Sequence, residues 1–302
     1  MQVYLDCFPC FLRQTLDAVR FVTDDEKIHE TVVRQVLELV RRMDARQTPP
    51  AIGQQIHRLI RRVTGNADPY RQQKHDSNLL AMKLYPRLKA CIRGSNNSLE
   101  TAVRLAIAGN VIDFGIYTSL GERDVMEAID SALADGWDTG RLEEFAQAVS
   151  NANEILYIGD NAGEIVFDQL LIEELPYEKV TFGVKGSPVI NDVTMEDVEM
   201  TGLTGLVKVV ENGSDAPGTI LGDCSVGFHE RFERSDLIIA KGQGNYESLS
   251  ETGKDVFFIL KAKCPVIAAD LGCDMGQMVL RRNGVAARAI HYDGKEQEDA
   301  RL

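Results

Sequence analysis

Residues 154–168 read EILYIGDNAGEIVFD, and the reading of this stretch decides the fold. The apolar run Ile155–Ile158 suits a strand buried on both faces, as in a parallel sheet. Gly159 and Gly163 then let the chain turn tightly, and a helix is expected over 163–175. Downstream the same rhythm repeats. Strands are expected at 154–158, 179–184, 206–210, 237–240, 256–260 and 266–269, with further helices at 193–201, 225–233 and 245–252. Strand, helix, strand at this spacing predicts a three-layer α/β/α doubly wound, mostly parallel sheet, of the Rossmann-like kind.

Upstream of Asn153 the period changes. Ile28, Val32, Val36, Leu39 and Met43 fall on one helical face, and Ile52, Ile56, Leu59, Ile60 and Val63 do the same. Helical patterns cover 77–92, 98–109, 122–134 and 141–150 as well. The expected organisation is an all-helical domain over 1–150 and an α/β domain over 151–302. The helical part would form a cleft wall that selects substrate.

Composition narrows the function. Lys and Arg number 33 against 46 Asp and Glu, a net charge of −13. That balance opposes nucleic acid and anionic membrane, both of which demand a positive surface. No apolar run is long enough to span a bilayer, and MQVYLDCFPC lacks a secretory pattern, so a cytoplasmic protein is expected. Six cysteines do not make a secreted disulfide framework, and only Cys7 and Cys10 are close in sequence. Oligomeric state is not legible.

Doubly wound sheets bind ligands beyond the carboxyl ends of their strands. After the first strand, Asp160 and Asn161 offer two oxygen donors with no Cys or His nearby, which suits a hard cation. Amides at the following helix start, around Gly163 and Glu164, favour phosphate. The alternative is a helix N-cap with an Asp-Asn turn. After the second strand come Lys185-Gly186 and Asn191-Asp192: a point charge for phosphate and a third metal oxygen, or a solvated lysine and a helix cap. After the fourth, Lys241-Gly242-Gln243-Gly244-Asn245 again joins a lysine to glycines and amides. Together the three tips point to one composite phosphate and metal site. GDNAGE is not GxGxxG, no acidic ribose reader follows the second strand, and no GxxxxGK[ST] exists. Metal-assisted attack of water on phosphorus remains.

The motifs CFPC (7–10), DPYRQQKHDSN (68–78), GNVIDFG (109–115), GDNAGEIVFD (159–168), VKGSPVINDVT (184–194), KGQGNYESLSE (241–251) and FFILKAKCPVIAADLG (257–272) occur in that order. Together they resemble the damage-control phosphatases, the ARMT-like metal-dependent phosphatase family, and CFPC resembles its prokaryotic branch. The resemblance implies hydrolysis of small phosphorylated metabolites, sugar phosphates or related side products, with one Mg²⁺, Mn²⁺, Co²⁺ or Ni²⁺ ion. It implies metal ligands Asp160, Asn161 and Asp192, and Lys241 on the substrate phosphate. It places Asn110 and Asp113 near the substrate's hydroxyls. Glu164 would orient a metal water or favour the helix start, and Lys74 and Asn78 would share a helix face at the rim. Cys7 and Cys10 are a structural or subfamily marker, or take a metal or accessory thiol role, with Pro9 suited to the first position of a helix. Two other functions remain open at this point: S-adenosylmethionine-dependent carboxyl methyl transfer, and a sensor that holds a phosphometabolite without turning it over.

Overall fold

The computed structural model describes residues 1–111, 126–127, 129–130, 133–134 and 140–283. Helices α1 (Cys7–Val22), α2 (Glu26–Arg42), α3 (Pro49–Thr64), α4 (Arg71–Gly94), α5 (Ser98–Val111) and α6 (Gly140–Asn151) precede the sheet. Their ends follow local chemistry. The Asp25 side chain accepts from the Lys27 amide at the start of α2. Pro49 and Pro50 open α3, and Gly65 closes it in the left-handed region. Helix α1 begins at Cys7, so Pro9 stands third in the helix rather than first. It is still in the first turn, where no backbone donor is missed.

The remainder alternates as expected: β1 (Ile155–Ile158), α7 (Glu164–Ile172), β2 (Val180–Val184), α8 (Met195–Thr201), β3 (Lys208–Glu211), α9 (Val226–Arg234), β4 (Leu237–Lys241), α10 (Gly242–Leu249), β5 (Val256–Lys261), α11 (Pro265–Leu271) and β6 (Met278–Arg282). The sheet order is β3-β2-β1-β4-β5-β6. Strands β1 to β5 are parallel, and β6 runs antiparallel to β5. One expectation is corrected. The apolar run 266–269 is helix, because Pro265 presets the first turn and Gly272 ends it in the left-handed region. The closing strand is β6 instead. Of the helix expected over 122–134, most residues lie outside those described.

Alternate residues of each strand feed separate cores. Tyr157, Phe182, Ile239 and Phe257 pack with Leu84, Ala106, Phe145 and Ile165, so α4, α5 and α6 share a core with α7 and one sheet face. Leu156, Ile238 and Phe258 pack with Phe232, Leu249 and Ile267 on the other face. Helices α1 to α3 have a third core around Val19, Val36 and Ile56. Each such fully buried side chain contributes about 1.5–3 kcal/mol. Helix α3 also packs on α10, where Gly53 leaves room for Pro217. The α1–α3 unit thereby stands over the carboxyl ends of β1 and β4, the point where strand order reverses.

Candidate active site

The loops after β1 and β2 are joined through their backbones. The Val193 amide donates to Asp160 O at 2.8 Å, the Ala162 amide donates to Asn191 O at 2.9 Å, and Asn161 bridges Asp192. Gly159 is required here, since a Cβ would lie 2.6 Å from the Phe182 ring. The junction puts Asp160, Asn161, Asn191 and Asp192 along one wall of a cavity of about 410 Å³. Cys7, Cys10, Phe11 and Gln14 of α1, Pro49, Pro50 and Gly53 of α3, and Gln243, Glu247, Lys263 and Cys264 complete the surroundings. The separation between Asp160 and Asp192 in sequence is thus closed in space, as the strand-tip reading expects.

This wall is electrostatically unbalanced. Burial, with Glu164 and Asp192 nearby, pushes the Asp160 carboxyl up to about 8. Burial also raises Asp192, against the pull of Lys185. Asp192 Oδ2 is buried without a hydrogen-bond partner, although Lys185 Nζ stands 3.3 Å away. Two carboxylates and the amide oxygen of Asn161 at one cavity wall form a hard-donor set, which fits Mg²⁺, Mn²⁺ or a related divalent ion. Among the described residues no three His, Cys, Asp or Glu side chains converge as a preformed metal centre, so the amide oxygen has to contribute.

Other expected site residues are placed differently. Lys241 is fully buried beneath the loop. Its ammonium donates to Glu164 Oε1 at 2.6 Å, Asp168 Oδ1 at 2.6 Å and Ala106 O at 2.9 Å, which uses all three hydrogens. It is not among the residues that line the cavity, and its hydrogens are directed to the protein instead. Burial pulls Lys241 down, but Asp168 and Glu164 outweigh it and hold the charge above the ordinary lysine range. Tyr157 adds a hydrogen bond of 2.8 Å to Asp168 Oδ1, and burial pushes Asp168 up to about 6. Lys185 is 2% exposed and donates to Gly218 O, behind Asp192.

The glycine amides are engaged too. The Gly163 amide donates to Asn78 Oδ1 at 2.6 Å, and the Gly186 amide is shared between Asn212 Oδ1 at 3.0 Å and Ser214 O at 3.1 Å. Neither is free to hold phosphate. Lys74 and Asn78 are buried rather than at the rim. Lys74 pairs with Asp197 at 2.8 Å and Asn78 Nδ2 donates to Asp197 Oδ1 at 2.9 Å, which ties α4 to α8 and to the loop. Asn110 at the end of α5 does reach the site, donating to Asp160 Oδ2 at 2.8 Å and Glu164 Oε2 at 3.0 Å. Asp113 lies outside the described residues.

Four residues escape the sequence reading. Asp168 follows Glu164 by one helical turn and shares its lysine. Lys263, after β5, lines the cavity and favours the charged form of Asp160. Glu247 is pushed up to about 7 by burial in the same wall. Cys264 accepts a 3.6 Å contact from Gln243 Nε2. Burial raises the Cys7, Cys10 and Cys264 thiols, so they stand protonated around the cavity.

Comparisons with known proteins agree on one group. The family model for the damage-control phosphatase ARMT1-like domain matches residues 3–279. The chain is 37% identical over 287 residues to the uncharacterized protein MJ0202 of Methanocaldococcus jannaschii, covering 91% of this chain and 93% of that protein. It is 37% identical over 288 residues to the damage-control phosphatase PH1575 of Pyrococcus horikoshii, covering 94% and 99%. The crystal structure of a DUF89 family protein (ph1575) from Pyrococcus horikoshii matches with a TM-score of 0.86 at 36% identity, over 94% of this chain and 99% of that one.

Proposed function

The chain belongs to the damage-control phosphatase ARMT1-like family, and from that premise we propose that its cavity hydrolyses phosphate monoesters of small metabolites, sugar phosphates among them, with one divalent cation. The observation that carries this reading is a pair of buried carboxylates at one cavity wall: Asp192, whose one nearby cation is Lys185 Nζ at 3.3 Å, and Asp160, which has no ion-pair partner among the described residues. Two buried carboxylates with one lysine between them leave negative charge that a cation would offset.

Asp160, Asn161 and Asp192 would hold the ion. When bound, a divalent cation would neutralise phosphate charge and make a nearby water more acidic. The protein's own residues do the rest. Lys263 lines the same cavity and draws the phosphate dianion inward. Lys185 stands beside Asp192 and favours its charged form against the effect of burial. The walls from α1 and α3 enclose the leaving group and exclude bulk water. A cytoplasmic setting goes with this reading, since all six cysteines are free. No helix among the described residues is long and apolar enough to cross a membrane.

The test is phosphate release from a broad phosphometabolite panel by chelator-stripped protein, with Mg²⁺, Mn²⁺, Co²⁺ or Ni²⁺ restored. Release should return with metal and vanish in Asp160→Asn, whose fold should persist. Full rate in that variant would remove Asp160 from the site, and silence across the panel would move the assignment to a non-catalytic phosphometabolite sensor.

A further inference from the structure

Two amides and two carboxylates form a closed arrangement under the cavity wall. Asn161 Nδ2 donates to Asp160 Oδ2 at 2.8 Å and to Glu164 Oε2 at 3.0 Å. Asn110 Nδ2 donates to the same two oxygens at 2.8 Å and 3.0 Å. Each amide therefore spends both hydrogens on carboxylates. Which way an asparagine amide points is fixed by such partners, because oxygen and nitrogen are otherwise interchangeable in shape. With Nδ2 committed, the atom that Asn161 has left is its carbonyl oxygen, and no residue among those described donates to it. Glu164 is held in turn by Lys241 on its other oxygen, at 2.6 Å, and is fully buried.

We propose that Glu164 is a positioning residue: backed by Lys241 and Asp168, it locks the Asn161 amide so that only the carbonyl oxygen is presented to a divalent cation. The assignment rests on the metal-dependent reading above and deepens it. Glu164 is 0% exposed and absent from the cavity wall, so it acts through Asn161 rather than on substrate. A carboxylate is needed because its two oxygens must both accept, one from the amides and one from the ammonium. A glutamine would face either Lys241 or the two amides with a donor of its own. In the second case Asn161 turns over and offers hydrogens where the cation needs an electron pair.

The test is the Mn²⁺ dissociation constant of stripped full-length protein by calorimetry, for wild type and Glu164→Gln, without any substrate. Wild type should bind one ion, and Glu164→Gln should bind at least tenfold more weakly. Equal affinity in a folded variant would overturn the positioning role and leave the metal reading intact. Failure of wild type to bind Mn²⁺ would overturn both. A purely structural role would lower the melting temperature of the stripped variant without weakening Mn²⁺. Should Glu164→Gln not fold, the wild type still decides. Its Asn161 side-chain amide protons, identified by their loss in Asn161→Asp, should exchange with solvent far more slowly than those of an exposed asparagine, with and without Mg²⁺. Exchange as fast as that of an exposed asparagine would refute the lock.

Discussion

Replacing Lys241 by methionine separates two roles that the sequence leaves joined. The lysine is fully buried and its three hydrogens go to Glu164, Asp168 and Ala106 O. Removing one partner of a buried ion pair costs about 3–5 kcal/mol, because the charge left behind keeps its desolvation penalty. Here two carboxylates are left. For a chain of 302 residues each kcal/mol moves the midpoint by about 1.5–2 °C, so Lys241→Met should melt roughly 5–10 °C lower at pH 7. The pH dependence has a definite sign. Asp168 already titrates near 6 in the folded protein, above its ordinary 3.8, so it loses stability as pH rises. Without Lys241 that penalty grows, and it is relieved when the carboxyl takes up a proton. The gap between variant and wild type should therefore narrow at pH 5. The assay is scanning calorimetry of stripped protein at both pH values. A variant that melts within 2 °C of wild type at pH 7 while losing turnover would refute the reasoning, since that is what direct contact with substrate phosphate predicts.

The other predictions use the same wall. Gly242 has φ +78°, and a Cβ there would lie 1.8 Å from Asp160 Oδ2. Gly242→Ala should lower stability by about 1–2 kcal/mol for the left-handed backbone alone, and it should also weaken Mn²⁺ binding; unchanged Mn²⁺ affinity would show that Asp160 is not seated against this turn. Glu247 titrates near 7 in the folded chain against 4.5 for an ordinary glutamate. Its contribution is present below pH 4.5 and is lost as pH rises through 7, on the order of 3 kcal/mol. Glu247→Gln should melt with wild type at pH 4.5 and above it at pH 8, and parallel curves would place the carboxyl in contact with bulk water.

The convergence of Asp160, Asn161 and Asp192 was legible because parallel strands all end on the same side, so residues after β1 and β2 must meet. The direction of Lys241 was legible too, but needed a finer reading. Leu237, Ile239 and Lys241 alternate along β4, and the first two enter the core shared with α5 and α7. The lysine therefore points between those helices, towards Glu164 and Asp168, and not outward to the cleft. Lys185 carries no such signal, since its burial depends on Gly218, a residue far along the chain that passes over it. The run VIAA at 266–269 fits strand and helix alike by period, and only Pro265 and Gly272 decide it. Strand β6, MVLRR, buries only Met278 and Leu280 and ends in two arginines, of which Arg282 pairs with Asp255 and stands over the Phe257 ring, contacts that its short apolar pattern does not announce.

The buried charges explain why a cation and a phosphate would enter this cleft in that order. Lys241 stands between Glu164 and Asp168 and offsets charge below the loop, while Lys185 stands near Asp192. Asp160 has no ion-pair partner within the same range among the described residues and receives the two asparagine amides and the more distant fields of Lys263 and Lys185. The deficit of positive charge is thus concentrated on the one carboxylate that meets both the cavity and the amide lock. A phosphate dianion approaching it alone would face repulsion in a partly desolvated site, where charges interact more strongly than in water. A divalent ion reverses that sign, and the fixed direction of Asn161 means that little reorganisation remains once it is seated. The buried lysines hold Glu164, Asp168 and Asp192 and leave Asp160 without an ion-pair partner, which is the arrangement that the proposed order, cation before phosphate, would require.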